Sequence, residues 1–388
     1  MKKKILIQFA GLLLLSATAF SQQFNQEYID SLIKSSAQSQ VARTSKFAIV
    51  GYTSVSAKFN KEDGAAFNNL VFNPILLWQP HKNIVIEAEM ETEIEGSETK
   101  IDMGYANASF FLNKYLTVRT GKFISPFGIF QDRLHPSWIN KLPTVPVGTG
   151  EDALGVGPTS EIGIDFRGGI PLGSAKMNYS IFFANGAQLI TDPTDPGKQG
   201  TLTYGNAETI NKKLTGGGRV GFLPLSNSSL EVGFSYRNGN VGDKNSAYKF
   251  IGSQMYALDL TYVKQLDFIK GMFDVKAQWN KVNVDKAEYI DPGDPTGNTL
   301  YTFENKRSSF FTQAAYRPSM SQSKFLKKTE LVFRYAGFNP PTGAKGLEEI
   351  KQYTYGINYW FTWRTAFKAA YQSQKDSNAF FLQVAVGF

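Results

Sequence analysis

The sequence predicts an all-β chain, a transmembrane antiparallel β-barrel of about sixteen strands with short periplasmic turns and long external loops. Three observations carry that prediction. In IVIEAEMETEIEGSE, residues 84–98, glutamates at 87, 89, 91, 93 and 95 alternate with Ala88, Met90, Thr92 and Ile94. Side chains of a strand point alternately to its two faces, so this pattern gives one carboxylate face and one largely apolar face, where a helix would scatter both sets. Connections between such segments are short and long by turns. The chain then ends in FFLQVAVGF, with Phe380, Leu382, Val384, Val386 and Phe388 sharing a face.

The elements follow in order. MKKKILIQFAGLLLLSATAFSQQ has three lysines, an apolar run from Ile5 to about Ala17, and small residues at Ala19 and Ser21. That is the form of a secretory signal peptide, placed at residues 1–21. Without its three lysines the 41 basic residues fall to 38 against 33 acidic ones, a formal charge of +5. The basic character is therefore too weak to point to nucleic acid. Residues 22–45 include Ile29, Leu32 and Ile33 at helical spacing and are expected to form a periplasmic arm or short helix, with the barrel occupying residues 46–388.

Cysteine is absent, which excludes disulfides, thiolate metal sites, a thiol nucleophile and a lipid anchor on cysteine. Beyond the signal no apolar run nears the roughly 20 residues of a membrane helix. Aromatic residues make up 14% of the chain, which suits a barrel with interfacial girdles.

Alternation and turn signals place strands at 46–58, 68–78, 83–94, 100–112, 115–122, 160–168, 175–184, 215–223, 229–237, 253–264, 271–282, 307–317, 329–336, 352–361, 364–373 and 378–388. EIGIDFRG and SLEVGFSYR are the clearest of them. Links after even-numbered strands are mostly tight, whereas 123–159, 185–214, 238–252, 283–306 and 337–351, all after odd-numbered strands, hold most of the Gly, Pro, Asp and Asn. A barrel with both termini in the periplasm sorts its connections this way.

If the apolar face meets lipid, the opposite face lines a lumen, because a basic group at the bilayer midplane costs about 2–4 kcal/mol and an acid somewhat less. The expected acidic lining is Glu87, Glu89, Glu91, Glu93, Asp165, Glu231, Asp259, Asp274 and Glu330. Its basic counterpart is Arg119, Arg167, Lys176, Arg219, Arg237, Lys276, Arg334, Arg364 and Lys368. The glutamate ladder is expected to face water and the arginines across it. Such an arrangement orients dipolar solutes and sets ion preference; the plainer reading is that these charges merely keep the wall solvated.

Residues 123–159 contain Phe127, Ile129, Phe130, Trp138, Ile139 and Leu142, too apolar a set for a loop exposed to water. The segment is expected to fold into the barrel and constrict it with Asp132, Arg133, His135, Lys141, Glu151 and Asp152; an external cap is the alternative.

These features resemble a Gram-negative outer-membrane porin, and NPILLWQPHKNIVIEAEMETE (73–93) with RTGKFISPFG (119–128) is most similar to the phosphate-selective porin O and P superfamily. The resemblance implies an integral protein in contact with outer-membrane lipid, passage of small hydrophilic solutes or ions, and a homotrimer. It also implies that the barrel-assembly machinery recognises the last strand through Phe388, and that the link after the fifth strand narrows the pore. Phosphate preference is not carried over, because members with that preference line the pore with arginine ladders and this chain has an acidic ladder.

No enzyme is expected: His81 falls in a turn and His135 in the long loop, neither placed for a serine nucleophile. GTGEDALG (148–155) neither follows a strand nor opens a helix, so it is no nucleotide fingerprint, and no cofactor or metal is expected. DPTDP (192–196) and DPGDP (291–295) are read as turns rather than calcium loops. The leading expectation is a passive diffusion channel; the second is an occluded barrel that holds a partner or ligand on its external loops.

Overall fold

A computed structural model describes residues 46–62, 64–95, 98–150, 154–192, 194–195, 197–294, 296–375 and 377–388. The signal peptide and the arm expected at 22–45 lie outside these residues.

Strands make up most of the described chain, which has almost no helix. Its barrel strands are β1 (Lys46–Asn60), β2 (Gly64–His81), β3 (Ile84–Glu95), β4 (Glu98–Phe111), β5 (Thr117–Ile124), β6 (Ser160–Leu172) and β7 (Ala175–Asn185). A small hairpin, β8 (Gln188–Leu189) with β9 (Leu202–Thr203), precedes β10 (Leu214–Leu223), β11 (Leu230–Asn240), β12 (Gly252–Leu266) and β13 (Gly271–Val284). A second hairpin, β14 (Glu288–Ile290) with β15 (Leu300–Thr302), is followed by β16 (Lys306–Arg317), β17 (Thr329–Asn339), β18 (Ile350–Trp360), β19 (Thr365–Gln374) and β20 (Ala379–Gly387).

Leaving out the two hairpins, sixteen strands pair antiparallel with their chain neighbours, and β1 pairs with β20 from Tyr52↔Gly387 to Asn60↔Ala379, closing the barrel. Closure leaves no strand edge unpaired, the condition for a sheet to cross a bilayer. The terminal residue completes the seam. Phe388 and Gly51 exchange backbone hydrogen bonds of 2.9 and 3.1 Å, and the Phe388 ring stacks on Phe72 at 5.9 Å between centroids.

The expected sixteen-strand count holds, and burial follows the period-two pattern. Along β11, Glu231, Ser235 and Arg237 are buried while Val232 and Phe234 are exposed; along β20, Gln383 is buried while Phe380 and Val384 are exposed. The outward face is therefore a broad apolar belt, far larger than a water-facing surface carries.

The rim that bears Lys46 and Phe388 has tight links, the longest being 318–328. The far rim carries the long connections, although its links after β1, β3 and β19 are equally tight. Far-rim loops pack on one another: Tyr289 stacks on Phe303 at 4.9 Å, Gln199 donates to the Ile290 carbonyl (3.0 Å), and Asn305 donates to the Gly200 carbonyl (2.7 Å). The two aspartate-proline motifs form turns there. Asp192 Oδ1 accepts from Thr194, and Asp294 accepts from the hydroxyl and backbone N–H of Thr296 and from Thr299, hydrogen bonds that hold the Asp294 carboxyl well below the usual range.

Candidate functional site

The long connection from β5 to β6 lies within the barrel. Gly128 turns it inward with φ +66°, a left-handed conformation suited to glycine. The backbone N–H of Gly128 donates to Ser235 Oγ (3.0 Å), and Gln278 Oε1 accepts from the backbone N–H groups of Ile129 (2.7 Å) and Phe130 (2.8 Å). Phe130 meets Phe311 edge-on at 5.7 Å within a cluster that also holds Ile129, Leu134 and Ile139. The apolar residues that a solvated loop could not carry are thus buried against the wall.

Polar contacts continue the attachment. Arg133 donates to Glu231 Oε2 (2.8 Å). Lys141 Nζ lies 2.6 Å from Glu330 Oε1 and 2.9 Å from Asp274 Oδ2. Arg334 donates to the Thr144 carbonyl (2.8 Å) and hydroxyl (2.6 Å), Asn358 to the Lys141 carbonyl (2.8 Å), and Lys368 to the carbonyls of Asn140 (2.5 Å) and Ser137. Further along, Ser309 Oγ donates to the Gly148 carbonyl (3.1 Å). β11, β13 and β16 to β19 all contribute to holding the loop.

The expected lining residues separate into three groups. One set binds the loop: Glu231, Asp274, Glu330, Arg334 and Lys368. A second pairs along the wall, within one strand or between strands up to three apart. Arg119 donates to Asp165 Oδ2 (2.8 Å), Arg219 bridges Asp259 (2.6 Å) and Glu231 (2.9 Å), and Lys276 donates to Asp274 Oδ1 (2.5 Å). Arg237 pairs with Glu161 at 2.7 Å. Lys176 and Arg364 stand apart from these groups, near the rim that bears Lys46 and Phe388. Lys176 is exposed and donates to Ser228 Oγ (2.8 Å), while Arg364 lies in the turn before β19 against the Trp363 ring.

The third group is the glutamate ladder, whose surroundings differ from the expected water and arginines. Glu89 is only 1% exposed. The Tyr52 hydroxyl and the Asn73 amide lie against its carboxylate, and Asn73 also donates to Tyr52 (2.8 Å). Glu91 lies over Gly104, where a Cβ would come within 2.5 Å of Oε1, beside the bulge in β3–β4 pairing at Glu89/Met90. His135 of the loop approaches both carboxylates. Glu87 is within electrostatic reach of Arg119 and Arg167. Glu93 accepts from Asn69.

Two loop charges stay on the side of the lumen's chemistry. Burial disfavours the carboxylate of Asp132, but Arg167, Arg133, Arg119 and Arg219 outweigh it and hold its carboxyl below the usual range. For Lys141 burial disfavours the ammonium, and Asp274 and Glu330 outweigh that, raising its pKa above the usual lysine value. Glu151 and Asp152 lie outside the described residues.

Glu161, Gln278, Ser235, Asn358 and Tyr52 were absent from the expected lining. Glu161 and Gln278 fall within the expected strands 160–168 and 271–282 and share faces with Asp165 and Asp274 respectively, so both were legible by phase; Gln278 is uncharged, and a tally of charges passes over it.

No protein-family model matches the chain, and no curated protein matches it in sequence. Solved structures do resemble it in fold. OmpF of Salmonella typhi, in complex with daunomycin, aligns over 89% of this chain and 98% of its own with a TM-score of 0.56 and 12% identity. The anion-selective porin from Comamonas acidovorans aligns over 89% and 100%, with a TM-score of 0.54 and 14% identity. The outer membrane channel DcaP of Acinetobacter baumannii aligns over 90% and 99%, with a TM-score of 0.53 and 12% identity.

Proposed function

We propose that this chain is an outer-membrane porin of a Gram-negative bacterium that passes small hydrophilic solutes or ions by passive diffusion. The observation that carries the reading is the placement of Asp132. The infolded loop is fixed to one side of the wall through Lys141 and its neighbours, while Asp132, 3.6 Å from Arg133, lies within electrostatic reach of Arg167, Arg119 and Arg219. An acidic group facing a basic wall across a narrowed lumen sets up a transverse field, which aligns dipolar solutes and sorts ions. The fold likeness to porins supports the same reading, as does the apolar outward belt. Sixteen strands are enough to enclose a water-filled passage.

In this proposal the signal peptide is cleaved after Ser21, the last strand with Phe388 is the assembly signal, and three copies associate. Residues 73–93 and 119–128 keep the phosphate-selective porin O and P superfamily as the nearest resemblance. Phosphate itself is not the proposed solute, because most of the wall arginines are engaged by carboxylates.

A second reading rests on the spread of the loop's attachments. Contacts to β11, β13 and β16 to β19, with His135 at β3, carry the loop across the barrel, as an occluded lumen would need. Current through a planar bilayer holding the refolded protein separates the two. A steady conductance with a defined reversal potential in a salt gradient supports the porin; no current above the bare bilayer supports the occluded barrel.

A further inference from the structure

Glu89 and Glu91 on β3 and His135 in the infolded loop bring one carboxylate oxygen each and one ring nitrogen within 4.8 Å of one another. We propose that these three side chains bind a single divalent transition-metal ion, which fastens the loop to the wall opposite its Lys141 anchor.

The donor set defines the ion class. One imidazole nitrogen with two carboxylate oxygens suits zinc and its neighbours, whereas calcium takes six to eight oxygens. Tetrahedral coordination with bonds of about 2.0–2.2 Å places ligand atoms about 3.3–3.6 Å apart, so side chains within 4.8 Å of one another close the site by turning inward by about an ångström. Three protein ligands leave a position for water or for a solute in the lumen.

Acidic clusters are common without a metal, and two further observations distinguish this one. Glu89 is buried, yet its Oε1 accepts no hydrogen bond. A buried carboxylate oxygen without a donor is unfavourable, and a bound cation removes that deficit. His135 Nδ1 meets the Gln131 carbonyl, which can only accept, so the proton resides on Nδ1 and the lone pair of the neutral ring on Nε2. Metal-binding histidines are oriented in this way by a backbone carbonyl. Tyr52 and Asn73 support Glu89 from behind, and Gly104 leaves Glu91 the room to converge.

Position gives the site its consequence. β3 and β13 lie eight strands apart in the closed order of sixteen, on opposite sides of the barrel. With Lys141 held at Asp274 of β13, a metal at β3 would fix the loop at both sides of the lumen.

The test is zinc titration calorimetry on the refolded, chelator-stripped barrel in detergent, beside Glu89→Gln and His135→Gln, with cobalt absorption as a second readout. Heat-modifiable migration in gels reports folding. The expected result is one zinc per chain, weakened at least about tenfold in either variant, and a cobalt d–d band lost in His135→Gln. Absence of saturable binding, or unaltered binding in the folded variants, overturns the proposal and leaves the cluster a polar latch. His135→Gln lies in the loop, so it decides the matter if Glu89→Gln does not fold. Binding is read without current, so a barrel that proved closed would leave the site standing.

Discussion

Lys141 Nζ sits 2.6 Å from Glu330 Oε1, joining residues 189 positions apart in the chain and fixing the infolded loop to β17. Asp274 shares the same ammonium from β13. Removing one member of a buried charge group leaves the others uncompensated, at a cost of about 3–5 kcal/mol. Lys141→Met is therefore expected to lower the unfolding midpoint in urea and to give a larger, noisier current. Neutralising the carboxylates as well, with Asp274→Asn and Glu330→Gln, should recover most of the stability but not the quiet current. A triple variant no more stable than Lys141→Met would show that the attachment owes little to charge.

Proton linkage of the loop has two limbs. Asp132 has a depressed folded pKa, so its contribution is present above the unfolded value of about 3.9 and is lost as pH falls through the lower folded value. Lys141 has a raised one, so its contribution is complete below about 10.4 and is lost as pH rises through the higher folded value. In the metal-free protein these two contributions should be constant between about pH 4 and pH 10 and weaken outside that window. Trp138, which meets Trp363 edge-on at 5.7 Å, offers the probe: its fluorescence, taken as the difference from Trp138→Phe, should change only beyond those limits. A transition near neutrality would show that groups other than Asp132 and Lys141 control the seating.

Selectivity should respond in opposite senses to the two sides of the lumen. A unit charge at about 4 Å in watery surroundings is worth about 1 kcal/mol, roughly a fivefold factor. Asp132→Asn is expected to move the reversal potential toward anions and Arg167→Gln toward cations, each by no more than that factor in permeability ratio. Shifts of the same sign, or none, would remove Asp132 from the proposed filter.

The sixteen strands were legible because alternation is a local signal, repeated in every wall segment and punctuated by turns. The burial of Phe127, Ile129, Phe130, Ile139 and Leu142 was legible from their apolar character, which had no favourable place in water. Partners across the lumen were not. Lys368 and Ser137 are 231 residues apart, and their meeting depends on barrel closure and the loop's path, which no local pattern encodes. The surroundings of Glu89 were hidden for the same reason: Tyr52 is brought there by the β1–β2 register and His135 by the loop. The β8–β9 and β14–β15 hairpins were missed because two or three residues are too few to show alternation.

Gly128 concentrates the loop's entry into one residue, which makes it the sharpest test of the seating. At φ +66° a side chain is strained by about 1–2 kcal/mol, and a Cβ would stand 2.2 Å from Gln278 Nε2 and 2.5 Å from Oε1. Gln278 has a flexible end, but moving it abandons the N–H groups of Ile129 and Phe130, each worth about 0.5–1.5 kcal/mol. Gly128→Ala should therefore cost about 2–4 kcal/mol and open residues 125–150 to protease. Gly173→Ala is the control, since it has the same φ of +66° in a rim turn with nothing within 4 Å of its Cβ. It should lose only the strain and keep the loop protected. Equal losses in the two variants would mean that backbone strain alone is at work and that Gln278 does not hold the loop.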